Sequence, residues 1–188
     1  SGEDTISGGG GGDVIDGGDD NDHLYGDDGN DEIHGGGLDD RLWGGLGKDT
    51  LFGDGGNDII YGGDDNDEIH GGDDNDTLRG EAGNDLIFGD AGNDILIGAE
   101  GKDELHGGDG NDHLDGESGD DTLSGGDGND LIHAGSGDDV ADGGAGRDHI
   151  HGNDGDDTID GGAGNDEMER VARLAHHKGV VAGRGRLR

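Results

Sequence analysis

Aspartate recurs at every ninth position of this sequence and supplies most of its potential chemistry. The ladder has nineteen rungs without a break: Asp4, Asp13, Asp22, Asp31, Asp40, Asp49, Asp58, Asp67, Asp76, Asp85, Asp94, Asp103, Asp112, Asp121, Asp130, Asp139, Asp148, Asp157 and Asp166. Carboxylate oxygens are hard ligands, and Ca²⁺ takes roughly six to eight of them, whereas Mg²⁺ prefers a smaller octahedron and keeps its waters. A uniform ladder therefore indicates repeated calcium sites rather than one catalytic pair.

Two further periodic features accompany the rungs. Two residues after each rung stands Ile or Leu, and the exceptions are Ala141 and Met168. Five residues before the rung stands Gly, from Gly8 to Gly161, and the exception is Ala134. Two residues before the rung Gly recurs again, and the exceptions are Asp20, Leu38, Asp65 and Asp74. The repeating unit is G-G-x-G-x-D-x-U-x, in which U is a large aliphatic residue.

This unit predicts a turn followed by a short strand. The x-U-x triplet suits a strand whose U side chain faces one way, and the six preceding residues reverse the chain with the help of glycine. Two repeats then close a coil of 18 residues, and coils stack as parallel strands about 4.8 Å apart. Alternate rungs align at the two edges, so that Asp4 lies over Asp22 and Asp13 lies over Asp31.

Composition excludes an ordinary globular domain. The 188 residues include 50 Gly, no Pro, no Cys and only 25% hydrophobic residues, and the net charge is −38. Such a chain is either disordered or ordered by cations, and it is a poor partner for nucleic acid. The sequence contains no H-E-x-x-H, G-x-S-x-G or P-loop motif, which indicates that it is not an enzyme.

The nonapeptide over residues 2–169 resembles the RTX family, the hemolysin-type calcium-binding repeats. The resemblance implies an all-β, right-handed parallel β-roll with two sheets. It also implies that each ion is held by turn carbonyls and the rung Asp of two loops one coil apart. One such site would contain Gly8, Gly10 and Asp13 with Asp27, Gly29 and Asp31. The columns of ten and nine rungs leave gaps for at most 17 ions.

The same resemblance implies a cellular route. RTX proteins leave Gram-negative bacteria unfolded through type I secretion machinery, and extracellular calcium then drives folding. We expect neither a signal peptide nor a transmembrane segment in this sequence, and we expect a secreted or cell-surface location. A module designed as a consensus array is also compatible with so regular a ladder.

The last residues depart from the pattern. We expect a β-roll over residues 1–169 and a basic tail over residues 170–188, which contains six of the eleven basic residues and no acid. Apolar residues from Met168 onward fall near helical spacing, and Gly179 could end such a helix. Three alternatives stay open for this tail: a frayed segment on the acidic roll, a cap on the last coil, or a secretion signal.

The aromatic residues all stand three after a rung, where side chains point outward. Tyr25, Trp43 and Tyr61 are spaced by 18, with Arg79 next in line. Such a ladder usually stabilises the sheet. The alternative function is a carbohydrate-binding or surface-adhesion module, with polysaccharide as partner, because aromatic faces suit sugar rings. The outward histidines are more typical of a solvated surface than of a transition-metal site.

Irregular residues predict local effects. Leu38 stands where a positive φ is required, so we expect the loop 35–40 to be distorted or under-occupied. Asp20, Asp65 and Asp74 fill the same position more easily.

Overall fold

The chain forms two parallel β-sheets that run the length of a solenoid. The computed structural model describes residues 2–169, 181–182 and 186–187, and no helix occurs in that part of the chain. The first sheet contains, in spatial order, β1 Thr5–Gly10, β3 His23–Asp28, β5 Arg41–Leu46, β7 Ile59–Asp64, β9 Thr77–Ala82, β11 Ile95–Glu100, β13 His113–Ser118, β15 Leu131–His133, β17 His149–His151, β20 Glu167–Glu169 and β22 Arg186–Leu187.

The second sheet contains the alternate strands. In spatial order they are β2 Val14–Asp19, β4 Glu32–Gly37, β6 Thr50–Gly55, β8 Glu68–Asp73, β10 Leu86–Ala91, β12 Glu104–Asp109, β14 Thr122–Gly128, β16 Val140–Gly146, β18 Thr158–Asp160 and β21 Val181–Ala182. The short strand β19 Ala163–Gly164 pairs with β16. From β1 to β18, consecutive strands therefore lie in opposite sheets.

Register confirms the predicted coil. Thr5 pairs with His23, and Glu32 pairs with Thr50, each across 18 residues and each in parallel. Two nonapeptides thus complete one turn of the solenoid, and residues 2–169 make about nine turns. The predicted all-β, two-sheet parallel roll is confirmed.

The strands are longer than the predicted triplet. Strand β1 spans Thr5–Gly10, so it includes x-U-x and the first three residues of the following turn. Backbone hydrogen bonds between coils continue through those turn residues, for example from Gly11 N to Asp28 O at 2.7 Å. The reversal itself is therefore confined to the few residues between consecutive strands, such as residues 11–13, which end at the rung.

A single file of aliphatic side chains from each sheet forms the interior. The U residues from Ile15 to Met168 are at most 5% exposed, and Ile6, in the first coil, packs against them while partly exposed. Ala141 stands in this file and is also buried. Each coil of 18 residues thus contributes two core side chains. A globular domain as long as the whole chain would bury a larger share of its side chains.

Leu38 adopts a positive φ, as glycine does at this position in many of the loops. Its φ is 74°, close to the 76° of Asp65. Hydrogen bonds on both sides keep the regular geometry, since Asp22 N to Asp40 Oδ1 and Asp40 N to Asp58 Oδ1 both measure 2.7 Å. The expected distortion of the loop 35–40 is therefore absent, and the leucine side chain is 58% exposed instead. Its effect on ion occupancy stays a prediction.

The basic tail adds one strand to each sheet. Ile159 of β18 pairs with Val181, and Met168 of β20 pairs with Leu187. The predicted helix after Met168 lies outside the described residues, apart from that first residue, which is in β20. Among the described residues no helix is long and apolar enough to cross a membrane.

Candidate metal centres along the two carboxylate columns

The rung aspartates are among the most buried polar residues of the chain. Seventeen of them, from Asp22 to Asp166, are at most 3% exposed. Asp4 is exposed and Asp13 is half-buried, because no coil precedes the first one. Carboxylates are rarely this buried without a partner. The two predicted columns, one at each edge of the roll, are therefore present in the fold.

Each rung is bonded to the rung one coil before it through one carboxylate oxygen. The N–H of Asp94 donates to Oδ1 of Asp112 at 2.9 Å, and the N–H of Asp103 donates to Oδ1 of Asp121 at 2.8 Å. The second oxygen, Oδ2, is buried and has no hydrogen-bond partner among the described residues at seventeen rungs: Asp13, Asp22, Asp31, Asp40, Asp49, Asp58, Asp67, Asp76, Asp85, Asp94, Asp103, Asp112, Asp121, Asp130, Asp139, Asp148 and Asp166. These oxygens are available to a cation.

Backbone carbonyls approach the same space. A Cβ added to Gly35 would lie 2.6 Å from Oδ2 of Asp40 and 2.8 Å from the carbonyl oxygen of Gly53. A Cβ at Gly8 would likewise lie 2.7 Å from Oδ2 of Asp13 and 2.9 Å from the carbonyl oxygen of Gly26. The first glycine of the repeat thus leaves a cradle that is lined by oxygen.

The predicted ligand loops lie side by side. Gly10 pairs with Asp28, so the loops 8–13 and 26–31 face each other across one coil step. The site expected there contains Gly8, Gly10, Asp13, Asp27, Gly29 and Asp31. Two carbonyls that the sequence analysis did not name also approach this gap, those of Gly26, next to Gly8, and of Gly11, next to Gly29. The exact ligand set stays a prediction.

Burial raises the pKa values of the rung carboxyls. Desolvation is the largest cause, the backbone hydrogen bond from the preceding rung opposes it, and neighbouring carboxylates raise most of these values further. The pKa is raised to about 6 for Asp40, Asp85, Asp130 and Asp139, to about 7 for Asp58, Asp94 and Asp121, and to about 8 for Asp67 and Asp76. Ionising the whole column at neutral pH therefore requires compensating positive charge.

The donor chemistry fits calcium. Each gap presents carboxylate and carbonyl oxygens, and the chain contains no Cys. No group of three or more His, Asp and Glu side chains capable of holding a metal occurs in the part of the chain that the structure describes. An ion in these gaps would therefore depend on backbone carbonyls as much as on side chains.

Comparison with known families agrees with this geometry. A model of the RTX calcium-binding nonapeptide repeat matches residues 1–33, 34–69, 70–105, 97–132, 106–141 and 133–168. The chain belongs to the RTX calcium-binding repeat family. No curated protein matched the chain. The repeats are thus calcium-binding repeats in a β-roll, and the family is a structural one rather than typically an enzymatic one.

The RTX repeats of this chain also contain an amide ladder that the sequence analysis missed. The residue before the rung is often Asn, and its Oδ1 accepts from the Asn N–H one coil later, as between Asn93 and Asn111 at 3.0 Å. The side-chain amide of Asn111 donates to the same oxygen at 2.9 Å. Recurrence of Asn before the rungs, spaced by 18 residues, was the signal in the sequence.

The predicted aromatic ladder is present as a stack of rings. Tyr25 and Trp43 lie 4.6 Å apart with an interplanar angle of 5°, and Trp43 and Tyr61 lie 5.9 Å apart at 6°. Arg79 stands next in register to Tyr61 and pairs with Glu81 at 2.9 Å. Because the rings cover each other's faces, Trp43 presents its edge to solvent rather than a flat platform.

A second column on the other sheet alternates histidine with phenylalanine. Its rings stack at centroid distances of 4.6–5.0 Å in the order His34, Phe52, His70, Phe88 and His106. The sequence analysis predicted that these histidines face outward. It did not indicate that the intervening phenylalanines complete the stack.

Four other histidines meet on the first sheet near its C-terminal end. His133 lies 5.4 Å from His113 and 5.0 Å from His151 between ring centroids, and His149 lies 4.5 Å from His151. Burial lowers the pKa of His133, and its histidine neighbours lower it further. Among the described residues these side chains form no group that could hold a metal ion. The expectation of a surface histidine group rather than a transition-metal site is untested.

Proposed function

We propose that this chain is a non-enzymatic module that folds when it binds calcium outside the cell. The observation that carries the proposal is the pair of columns of buried Oδ2 atoms without hydrogen-bond partners among the described residues. Unpartnered buried carboxylate oxygens are costly, and a divalent cation between successive rungs would compensate them. All nineteen rungs are proposed ligands, together with turn carbonyls such as those of Gly8, Gly10 and Gly29.

Folding depends on the ion because the roll has little apolar interior. Each coil buries two U side chains, whereas ordering its 18 residues costs roughly 1–2 kcal/mol per residue in backbone entropy. The ions bridge neighbouring coils, so each coil is stable only with its neighbours. The metal-free chain is therefore expected to be disordered at neutral pH.

The number of ions has an upper bound. Ten and nine rungs leave at most 17 gaps, and 17 divalent ions would bring 34 positive charges against a net charge of −38. Calcium would thus almost neutralise the roll. This near-cancellation of charge supports calcium in most of the gaps, although it does not determine the number of ions.

The proposed location is extracellular, with export by type I secretion machinery. Extracellular calcium modules bind with dissociation constants of about 10⁻⁴–10⁻³ M, so such a chain stays unfolded in a calcium-poor cytosol. A chain that passes through a secretion channel unfolded and folds outside would make use of this difference. Family membership supports this route.

Calcium titration tests the proposal. Circular dichroism should show disorder in excess chelator and strand content in millimolar calcium, and calorimetry should report a cooperative transition with no more than 17 ions per chain. Magnesium at the same concentration is the matched control and should not induce the roll. Equal strand content in chelator and in calcium at neutral pH would refute calcium-dependent folding.

A groove beside the aromatic ladder favours carbohydrate binding as a second candidate. It has a volume of about 580 Å³ and is lined by Trp43 and Tyr61 together with turn residues such as Leu46. A sugar would have to enter this groove, because the stack covers most ring faces. Replacing Tyr25, Trp43 and Tyr61 with Ser at constant calcium should abolish retention on a polysaccharide column. Unchanged retention would exclude the ladder as a sugar site.

A further inference from the structure

One loop lacks the glycine that forms the oxygen-lined cradle. Ala134 stands five residues before Asp139, and it is completely buried. The corresponding residue is Gly in the other seventeen loops from Gly8 to Gly161. This departure falls in the column that runs from Asp13 to Asp157, at its last gap.

Close approach, rather than a positive φ, explains the glycine at this position. A Cβ added to Gly116, one coil before Ala134, would lie 2.6 Å from Oδ2 of Asp121. A Cβ added to Gly152, one coil after, would lie 2.6 Å from Oδ2 of Asp157. Both distances are below the 3.0 Å that real Cβ atoms respect. A methyl group at this position therefore displaces the carboxylate or the backbone.

The surrounding backbone also departs from the regular pattern. Strand β13 runs on through its loop to Ser118, whereas β15 ends at His133 before Ala134 and β17 ends at His151 before Gly152, so the strands on both sides of this gap are shortened. Beyond His133, pairing continues as isolated bridges at Ser136 and through backbone hydrogen bonds such as that from Ala134 N to His151 O at 2.8 Å.

We propose that the gap between Asp139 and Asp157 is a defective calcium site, the weakest of its column; this rests on the proposed function. Calcium–oxygen contacts of about 2.3–2.6 Å leave no space for a methyl group among the ligands. In the regular geometry the methyl group of Ala134 would crowd Oδ2 of Asp139, as a Cβ at Gly116 would crowd Oδ2 of Asp121. The ion of this gap is lost at calcium concentrations that fill the other gaps of the column.

The defect has a mechanical consequence. Ions tie neighbouring coils together, so a weak site loosens the coils after Asp139 from those before it. The C-terminal coils should open at a higher calcium concentration than the rest of the roll when calcium is withdrawn.

Ala134→Gly tests the proposal, and Ala145→Gly is its control. Ala145 is exposed in the next loop, so the control removes a methyl group without altering a cradle. Native mass spectrometry across a calcium series should find one more ion per chain for Ala134→Gly than for the wild type and for Ala145→Gly. Gly116→Ala should conversely lose one ion.

The outcomes separate this inference from the proposed function. If the wild type and Ala134→Gly bind the same number of ions with the same affinities, the defective site is refuted while calcium binding stands. If neither chain takes up calcium, both the inference and the proposed function are wrong.

Discussion

The N–H of Asp58 donates a 2.7 Å hydrogen bond to Oδ1 of Asp76, one coil further along the roll. This bond joins two coils and also orients the carboxylate of Asp76, because it engages one oxygen and leaves Oδ2 without a partner among the described residues. The same side chain therefore contributes to the ladder of coils and to the proposed ion site. Loss of the hydrogen bond would lower the stability of the roll, and loss of the free oxygen would weaken calcium binding.

The first prediction concerns pH in the absence of calcium. The pKa of Asp58 is raised to about 7 and that of Asp67 to about 8, mainly by burial, from an ordinary 3.8. The folded chain then binds more protons than the unfolded chain, so its stability is fully present below pH ~4 and is lost as pH rises toward 8. Urea unfolding in chelator, followed by circular dichroism, should show compact structure only under acid conditions.

Calcium should reverse this dependence. Because the ion binds ionised carboxylates, acid releases it, and the calcium-loaded roll should become more stable between about pH 4 and pH 7. A metal-free chain that is more stable at pH 8 than at pH 4 would contradict the assigned cause of the pKa shifts.

The second prediction concerns the charge of one rung. Asp76→Asn keeps an oxygen that can accept the hydrogen bond from Asp58 but removes the negative charge. Calcium binding should weaken, and the calcium concentration at the folding midpoint should rise. In chelator at neutral pH the same change should stabilise any residual roll by about 1–3 kcal/mol, because folding then requires neither a buried charge nor protonation of residue 76.

Asp73→Asn is the matched control for this change. Asp73 is exposed on a turn of the same coil, so its replacement removes an equal charge outside the column. Identical midpoints for the two variants would show that overall charge, rather than the rung, determines affinity.

The third prediction compares two glycines of one loop. A Cβ at Gly35 would contact Oδ2 of Asp40 and the carbonyl of Gly53, whereas a Cβ at Gly37 would meet open space. Gly35→Ala should therefore destabilise the calcium-loaded roll by about 1–3 kcal/mol, the usual cost of overpacking. Gly37→Ala should be nearly neutral in the same thermal melt. Equal shifts in melting temperature for Gly35→Ala and Gly37→Ala would show that the space at Gly35 is not needed for the carboxylate of Asp40.

The fourth prediction concerns the stacked rings. Trp43 stacks on both Tyr25 and Tyr61, whereas Tyr25 stacks on Trp43 alone. Each aromatic pair contributes about 0.5–1.5 kcal/mol beyond its buried area. Trp43→Ala should therefore lower stability in calcium by about twice as much as Tyr25→Ala. Chemical denaturation at saturating calcium measures both, and a smaller effect at Trp43 would contradict the stacking.

Most of the architecture could be predicted because the chain is quasi-one-dimensional. A spacing of nine between rungs and the alternation of strand and turn determine which residues stack, so Asp94 over Asp112 follows from counting. The aliphatic file followed in the same way. The strand length did not, because hydrogen bonds between neighbouring coils extend each strand into its turn.

Leu38 shows where residue preference misleads. Intrinsic sterics argued against a positive φ at this residue, yet its φ is 74°. Hydrogen bonds between Asp40 and the coils on both sides keep that loop in register. These contacts outweigh the steric cost of a positive φ at one leucine. The φ preference of leucine is a property of the single residue, whereas the φ observed at Leu38 is determined by contacts with the neighbouring coils.

Periodicity in the sequence by itself determined the class of fold, the alignment of carboxylates and the family, because contacts in a solenoid recur at a constant separation along the chain. Three-dimensional packing decided which oxygen of each carboxylate is engaged, which carbonyls approach the gap and why a methyl group at Ala134 matters. Those features depend on distances of a few tenths of an ångström between neighbouring coils, and a repeat pattern does not contain such distances.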